Sequence, residues 1–130
     1  LNVPHQNVPE HFEIRGEVFM HKAAFEKLNQ ERIEQGEQAY ANPRNFASGT
    51  VKMQDSAEVA KRPLDCFLYF LYADQNPFKT HWESLQAVKS WGFHVSEESK
   101  LCNTIEDVLL FIESWETKRF NLSYDIDGIV

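Results

Sequence analysis

Between His11 and Met20 the chain alternates. Phe12, Ile14, Val18 and Met20 fall on one parity and Glu13, Arg15 and Glu17 on the other, the pattern of a half-buried β-strand. Gly16 interrupts the apolar parity, where a strand glycine marks a bulge or a close backbone approach. From Lys22 the period lengthens to that of a helix, with Phe25, Leu28 and Arg32 on one side and Gly36 placed to stop it. Residues 37–50, containing Asn42-Pro43 and Gly49, predict a structured loop that enters a short helix near Ala47. Residues 64–72 are apolar at both parities, which predicts a central strand covered on both faces. Thr80 and Glu83 have capping-box spacing ahead of Trp82, Leu85, Val88 and Trp91; Gly92 closes that helix, and residues 93–95 follow as a short strand. Thr104 caps a last helix with an apolar stripe of Ile105, Val108, Leu109, Ile112 and Trp115. Helices flanking mixed or antiparallel sheets in this order make an α+β class.

The length of 130 residues suits one core, and no repeat or Gly/Ser linker divides the chain. Thirteen Lys and Arg against twenty Asp and Glu give a net charge of −7, so bulk attraction to nucleic acid or an anionic membrane is not available, and any phosphate binding must be local. The longest apolar run, residues 66–73, suits a buried strand and is far shorter than a membrane span. Two cysteines, Cys66 and Cys102, are too few for a zinc site or a disulfide scaffold, which fits a reducing, cytoplasmic setting. The chain starts at Leu1 without a Met or a signal peptide and stops at Val130 inside an apolar run. Both ends are therefore expected to be cut, leaving part of an active site.

Three constellations could carry chemistry. Glu13, Arg15 and Glu17 point the same way from one strand; such a carboxylate could hydrogen-bond a nucleotide ribose, although alternation alone fits a solvated face with internal charge pairing better. Arg44, Lys52, Lys61 and Arg62 are offset only by Asp55 and Glu58, which reverses the sign of the whole chain locally. A helix start carrying Arg44 suits phosphate, because free backbone N–H groups and a guanidinium both favour anions; ordinary solvated helix charges are the alternative. Tyr124-Asp125-Ile126-Asp127-Gly128 pairs carboxylates ahead of an apolar strand start, a cation or base-orienting site on one reading and a plain turn on the other. The five histidines lack metal-ligand spacing, Trp82, Trp91 and Trp115 suit core packing, and no serine or cysteine nucleophile pattern is present.

Taken together, EIRGEVFM, ANPRNFASGTVKMQD, AKRPLDCFLY, WGFHVSEESKLC and YDIDGIV, in this order, resemble the adenylation domain of bacterial NAD-dependent DNA ligases from Phe12 onward. The resemblance implies a partial adenylation domain with the covalent nucleotidyltransferase, ATP-grasp-like ligase fold. It implies that Glu17 contacts the adenosine part of the nucleotide and that Arg44 serves nick sealing through phosphate contacts. Lys52 stands where many relatives carry a second arginine; it keeps the charge and loses the planar fork. Arg119 matches a further functional arginine, Asp127-Gly128 opens the motif of the last strand, and Val130 is placed like an apolar residue against adenine.

The family's nucleophile is the lysine of a K-x-D-G motif, and no lysine here stands two residues before Asp-Gly. The mechanism implied for the parent enzyme is attack of that lysine on the α-phosphorus of NAD, release of NMN, transfer of AMP to a nick 5′-phosphate, and sealing by the 3′-hydroxyl with loss of AMP. Mg²⁺ and cationic side chains offset the charge that develops on phosphorus. Zn²⁺ belongs only to parts of the parent outside this segment. The implied partners are NAD and nicked double-stranded DNA, with no membrane, and the isolated segment is expected to be inactive. Another covalent nucleotidyltransferase, such as an ATP-dependent ligase or capping enzyme, is opposed by the ANPRN segment. A noncatalytic interaction module would be favoured if Glu17, Arg44 and Asp127 failed to converge.

Overall fold

A computed structural model describes residues 7–130. The element order is β1 (Phe12–Met20), α1 (Lys22–Glu34), α2 (Pro43–Val51), α3 (Ser56–Ala60), β2 (Leu64–Ala73), α4 (His81–Ser90) and α5 (Ile105–Lys118), followed by a 3₁₀ turn at Arg119–Asn121. The chain divides into two compact units, one containing the residues up to Glu17 with Cys66–Leu101, the other Val18–Asp65 with Cys102–Val130. The α+β class is as expected. Among the described residues, however, there is a single antiparallel sheet of two strands, β1 and β2, in place of several sheets.

In the first unit β1 and β2 approach closely at Gly16. A Cβ there would lie 2.5 Å from both the Phe67 carbonyl oxygen and Leu68 Cδ2, so the glycine is the close backbone approach that its position in the strand predicts. Leu71 of β2 packs with Leu85, Val88, Trp91 and Val95, the core of this unit. Apolarity at both parities of β2 does not mean cover on both faces: Leu71 is buried, while Tyr69, Phe70 and Tyr72 are exposed. Among the described residues only β1 pairs with it, so β2 is an edge strand there, not a central one. The apolar parity of β1 likewise fails at Val18, which is exposed.

Helix α4 shows how a local signal can be read almost correctly. Thr80 Oγ1 accepts the Glu83 N–H at 3.1 Å, as a cap should, but the Glu83 carboxylate takes the N–H of Lys79 at 2.8 Å, one residue earlier than a reciprocal capping box requires. At the other end Gly92 adopts φ +88°, and the Phe93 N–H bonds to the Val88 carbonyl, six residues back inclusive, in a Schellman closure. That bond removes the strand expected at residues 93–95. The Phe93 donor is spent on the helix, and β2 meets this segment through a bond from the Leu68 N–H to the His94 carbonyl at 2.8 Å.

The second unit is built on Met20, Phe46 and Ala47, packed by Ala24, Phe25, Leu28, Tyr40 and Leu64. Helix α1 contributes its predicted apolar side and ends at Gly36 with φ +75°. Arg32, on the same side, pairs with Glu37 and lies over the Tyr40 ring. The helix expected near Ala47 is α2, with Asn42 as N-cap accepting the Asn45 N–H at 2.8 Å and Pro43 in the first turn, where its missing N–H costs nothing. Helix α5 begins in a full capping box between Thr104 and Asp107. Its predicted stripe is buried only at Trp115, with Val108 half-buried and Ile105, Leu109 and Ile112 exposed. The strand expected from Asp127 onward is absent: residues 125–130 belong to no strand. Among the described residues no helix is long and apolar enough to cross a membrane.

Candidate functional site

The second unit gathers charged side chains around the irregular stretch Leu122–Gly128. Three cations from three elements reach it. Lys22, first residue of α1, donates its backbone N–H to the Ser123 carbonyl at 2.8 Å and its ammonium to the Leu122 carbonyl at 3.1 Å, and pairs with Asp125 Oδ1 at 3.2 Å. Arg119, at the C-cap of α5, donates from Nη2 to the Ile126 carbonyl at 3.1 Å and rests beside the Phe120 ring. Arg44, in the first turn of α2, donates from Nη1 to Asp127 Oδ2 at 2.8 Å.

The Arg44–Asp127 pair is open to water, with 72% of one side chain and 89% of the other exposed. A pair this exposed contributes at most about 1 kcal/mol to stability. One N–H of the guanidinium meets an anionic oxygen, and a planar fork with five donors has the chemistry to take a second anionic acceptor. Beside Asp127, a concavity of ≈ 270 Å³ is lined by Trp115, Glu116, Arg119, Ile126, Gly128 and Ile129 among others. A side chain at Gly128 would meet nothing within 4 Å, so packing does not require a glycine there.

The sequence-predicted residues therefore divide. Arg44 and Asp127 are in contact, and Arg119 and Gly128 line the adjoining concavity. Lys52 is exposed at the far end of α2, eight residues and about 12 Å of helix rise from Arg44, so the two do not act on one point from the helix as it stands. Val130 is exposed. Glu17 is exposed on β1 in the first unit. Its neighbours Glu13 and Arg15 satisfy each other at 2.6 Å, the internal pairing expected of a solvated face, and the hydrogen bond and charge of Glu13 push the Arg15 pKa up. The basic set also separates. Lys61 pairs with Glu58, while Arg62 donates to Thr50 Oγ1 at 3.0 Å and lies over the Phe46 ring, so both are absorbed by structure.

Sequence reasoning missed Lys22 and its neighbour His21. The His21 ring reaches Ser123 Oγ through Nδ1 at 2.9 Å and the Asp65 carboxylate through Nε2 at 3.2 Å, and Phe19 packs on Tyr124 with centroids 5.1 Å apart. The contacts of His21 join residues 102 and 44 positions apart, and no local pattern announces them. As for a divalent cation, Asp125 and Asp127 are each engaged by a basic side chain, and among the described residues no group of three potential ligands is assembled. The donor set does not fit a resident metal.

Comparison with known proteins identifies the family of the chain. The family model for the NAD-dependent DNA ligase adenylation domain matches residues 1–130. A DNA ligase of Flavobacterium johnsoniae is 53% identical over 122 residues, covering 94% of this chain and 18% of that protein. DNA ligases of Cytophaga hutchinsonii and Mesoplasma florum match over all 130 residues at 50% and 45% identity, each over 19% of its own length. The chain thus spans about a fifth of the length of the curated relatives it matches. It belongs to the NAD-dependent DNA ligase adenylation domain family.

Proposed function

We propose that this chain is the part of an NAD-dependent, nick-sealing DNA ligase that supplies pocket walls and phosphate electrostatics, with the covalent nucleotidyltransferase fold completed by the rest of the enzyme. The observation that carries the reading is the convergence of Arg44 and Arg119 on Ile126–Gly128, one on the Asp127 carboxylate and one on the neighbouring carbonyl. In an otherwise acidic chain, this supplies the local cationic site that a phosphate reaction requires. Within it, Arg44 holds the nick phosphate during sealing, and Asp127 keeps that guanidinium oriented between turnovers. Arg119 fixes the backbone that presents Gly128 to the nucleotide. Glu17 contacts the adenosine, Val130 lies against the base, and Lys52 adds charge farther along the DNA backbone. The nucleophilic lysine that carries AMP from NAD comes from outside this segment.

The test uses the Cytophaga hutchinsonii ligase with these 130 residues in place of its own matching 130. Loss of a charge-assisted bidentate contact costs on the order of 1.5–3 kcal/mol, so Arg44→Ala should slow single-turnover sealing by the preadenylated enzyme roughly tenfold to hundredfold. Arg44→Lys should restore only part of the rate. Enzyme–AMP formation from NAD should be much less affected. Equal slowing of both steps would move Arg44 to the NAD pocket, and no slowing of either would leave it a solvated surface charge.

A further inference from the structure

We propose that Lys22 is a positioning residue for the sealing reaction, a clamp that fixes the path of Leu122–Asp127 and thereby the placement of Asp127 against Arg44. The inference rests on the reading of the Arg44–Asp127 site given above and extends it to a residue that touches neither reacting phosphate nor nucleotide. Its basis is the concentration of contacts on one side chain and its own backbone. The Lys22 N–H goes to the Ser123 carbonyl at 2.8 Å, the ammonium to the Leu122 carbonyl at 3.1 Å, and the same ammonium pairs with Asp125 at 3.2 Å. Three anchor points at Leu122, Ser123 and Asp125 leave this irregular stretch of backbone little freedom before Asp127, two residues farther on.

A second, independent observation is where Lys22 stands. It is the first residue of α1, at the positive end of the helix dipole, and the first turn of that helix contains no acidic residue. A cation is disfavoured there. The compensating negative charge comes from Asp125, 103 positions away in sequence, and the carbonyl at Leu122 accepts from the same ammonium. A lysine kept at a helix start against its own dipole, and satisfied only by the returning chain, has its role in that returning chain. His21 supports the same geometry. Its ring contacts Ser123 Oγ through Nδ1 at 2.9 Å and the Asp65 carboxylate through Nε2 at 3.2 Å, so His21 and Lys22 together hold Leu122 and Ser123.

Lysine suits the task because its long stem reaches two acceptors of different kind from one anchor, and its single ammonium ties their positions together. Without it, the stretch ahead of Asp127 is held at Ser123 by the backbone and His21, and at Ile126 by Arg119, with Asp125 left unneutralised between them. The displacement expected at Asp127 is of the size that costs rate without costing affinity. A misplacement near 1 Å at a catalytic group is worth up to roughly a hundredfold.

The experiment uses the same full-length chimera, comparing Lys22→Ala, Lys22→Arg and Asp125→Asn. Lys22→Ala should lower kcat for sealing roughly tenfold to hundredfold while KM for nicked duplex stays within about threefold. Lys22→Arg, which can still span a carbonyl and a carboxylate, should recover most of the loss. Adding Asp125→Asn to Lys22→Ala should cost little more, because both remove one interaction. Hydrogen exchange at the residue-22 amide, which donates to the Ser123 carbonyl, should speed up relative to its intrinsic rate in Lys22→Ala and return in Lys22→Arg, a readout that stands even if the chimera does not seal. Exchange unchanged in Lys22→Ala would overturn the clamp. A loss of kcat with no recovery in Lys22→Arg, or one that follows the melting temperature of the variants alone, would overturn it as well. Failure of unsubstituted chimera to seal, with the exchange pattern as expected, would count against the functional reading and leave the clamp standing.

Discussion

Phe46 offers the sharpest test of how this sequence holds its site in place, because it lies two residues beyond Arg44 on α2 and is 1% exposed. Its ring meets Tyr40 with centroids 4.5 Å apart and Phe25 at 6.2 Å, and the Arg62 guanidinium lies 5.0 Å from its centroid. Removing the side chain in Phe46→Ala loses its transfer free energy and leaves a cavity, together about 3–5 kcal/mol. Phe46→Leu keeps most of the apolar volume and loses only the aromatic and cation contacts, so about 1–2.5 kcal/mol is expected. A domain of this size has about 5–15 kcal/mol of stability in total, so the alanine variant sits near the edge of folding. Urea unfolding followed by tryptophan fluorescence measures the difference, Trp115 lying in the same unit and buried. With a slope of about 1–3 kcal/mol per molar, the midpoint should drop by at least ~1 M in Phe46→Ala and by less in Phe46→Leu. A change below about 1 kcal/mol in Phe46→Ala would refute the reasoning, since it would mean that α2 is held by something other than this aromatic cluster.

Gly16→Ala places a methyl group 2.5 Å from a carbonyl oxygen of β2, and the resulting overpacking should destabilise by about 1–3 kcal/mol in the same unfolding assay; a stabilised variant would show that β1 and β2 do not approach as described. Asn42→Ala removes the cap of α2 and should cost about 1 kcal/mol, while Asn42→Asp should retain nearly all of the stability, the two compared by thermal melts. The isolated 130-residue chain, incubated with NAD and Mg²⁺, should show no AMP-sized mass increment, because its single Asp-Gly lacks a lysine two positions before it; a stoichiometric adduct would place the nucleophile within this chain.

The helices were legible in the sequence because helix formation is a local bargain between neighbours three and four apart. Asn42, Thr104 and Gly36 mark ends that the structure keeps. Even Asp55, three residues before Glu58, carried a start signal for the short α3 that sequence reading passed over, with its carboxylate accepting the N–H groups of Ala57 and Glu58. Strands were less legible because a strand is a pairwise object. Residues 93–95 and the run after Asp127 have strand-like composition, but the first spends a donor on closing α4 and the second has no ladder partner among the described residues. The site followed the same division. Arg44 and Asp127 could be nominated one by one from their motifs, and their contact at 2.8 Å appears only once α2 and the end of the chain are brought together. Lys22 could not be nominated at all, since its sequence position marks only a helix start.

The way the two compact units share the chain bears on how the protein acquires its structure. Neither is a continuous stretch: the first is interrupted by the 48 residues from Val18 to Asp65, and the second by the 36 from Cys66 to Leu101. Each interruption is a loop that must close before the halves of the other unit meet, at an entropic cost near 3 kcal/mol from the length-dependent part alone. Expressing either half of the sequence by itself would therefore yield parts of both units and the whole of neither. The contacts that close the second unit, such as Lys22 with Ser123 and Arg44 with Asp127, depend on its last residues, so during synthesis the site described above can assemble only after the final stretch of this segment has emerged.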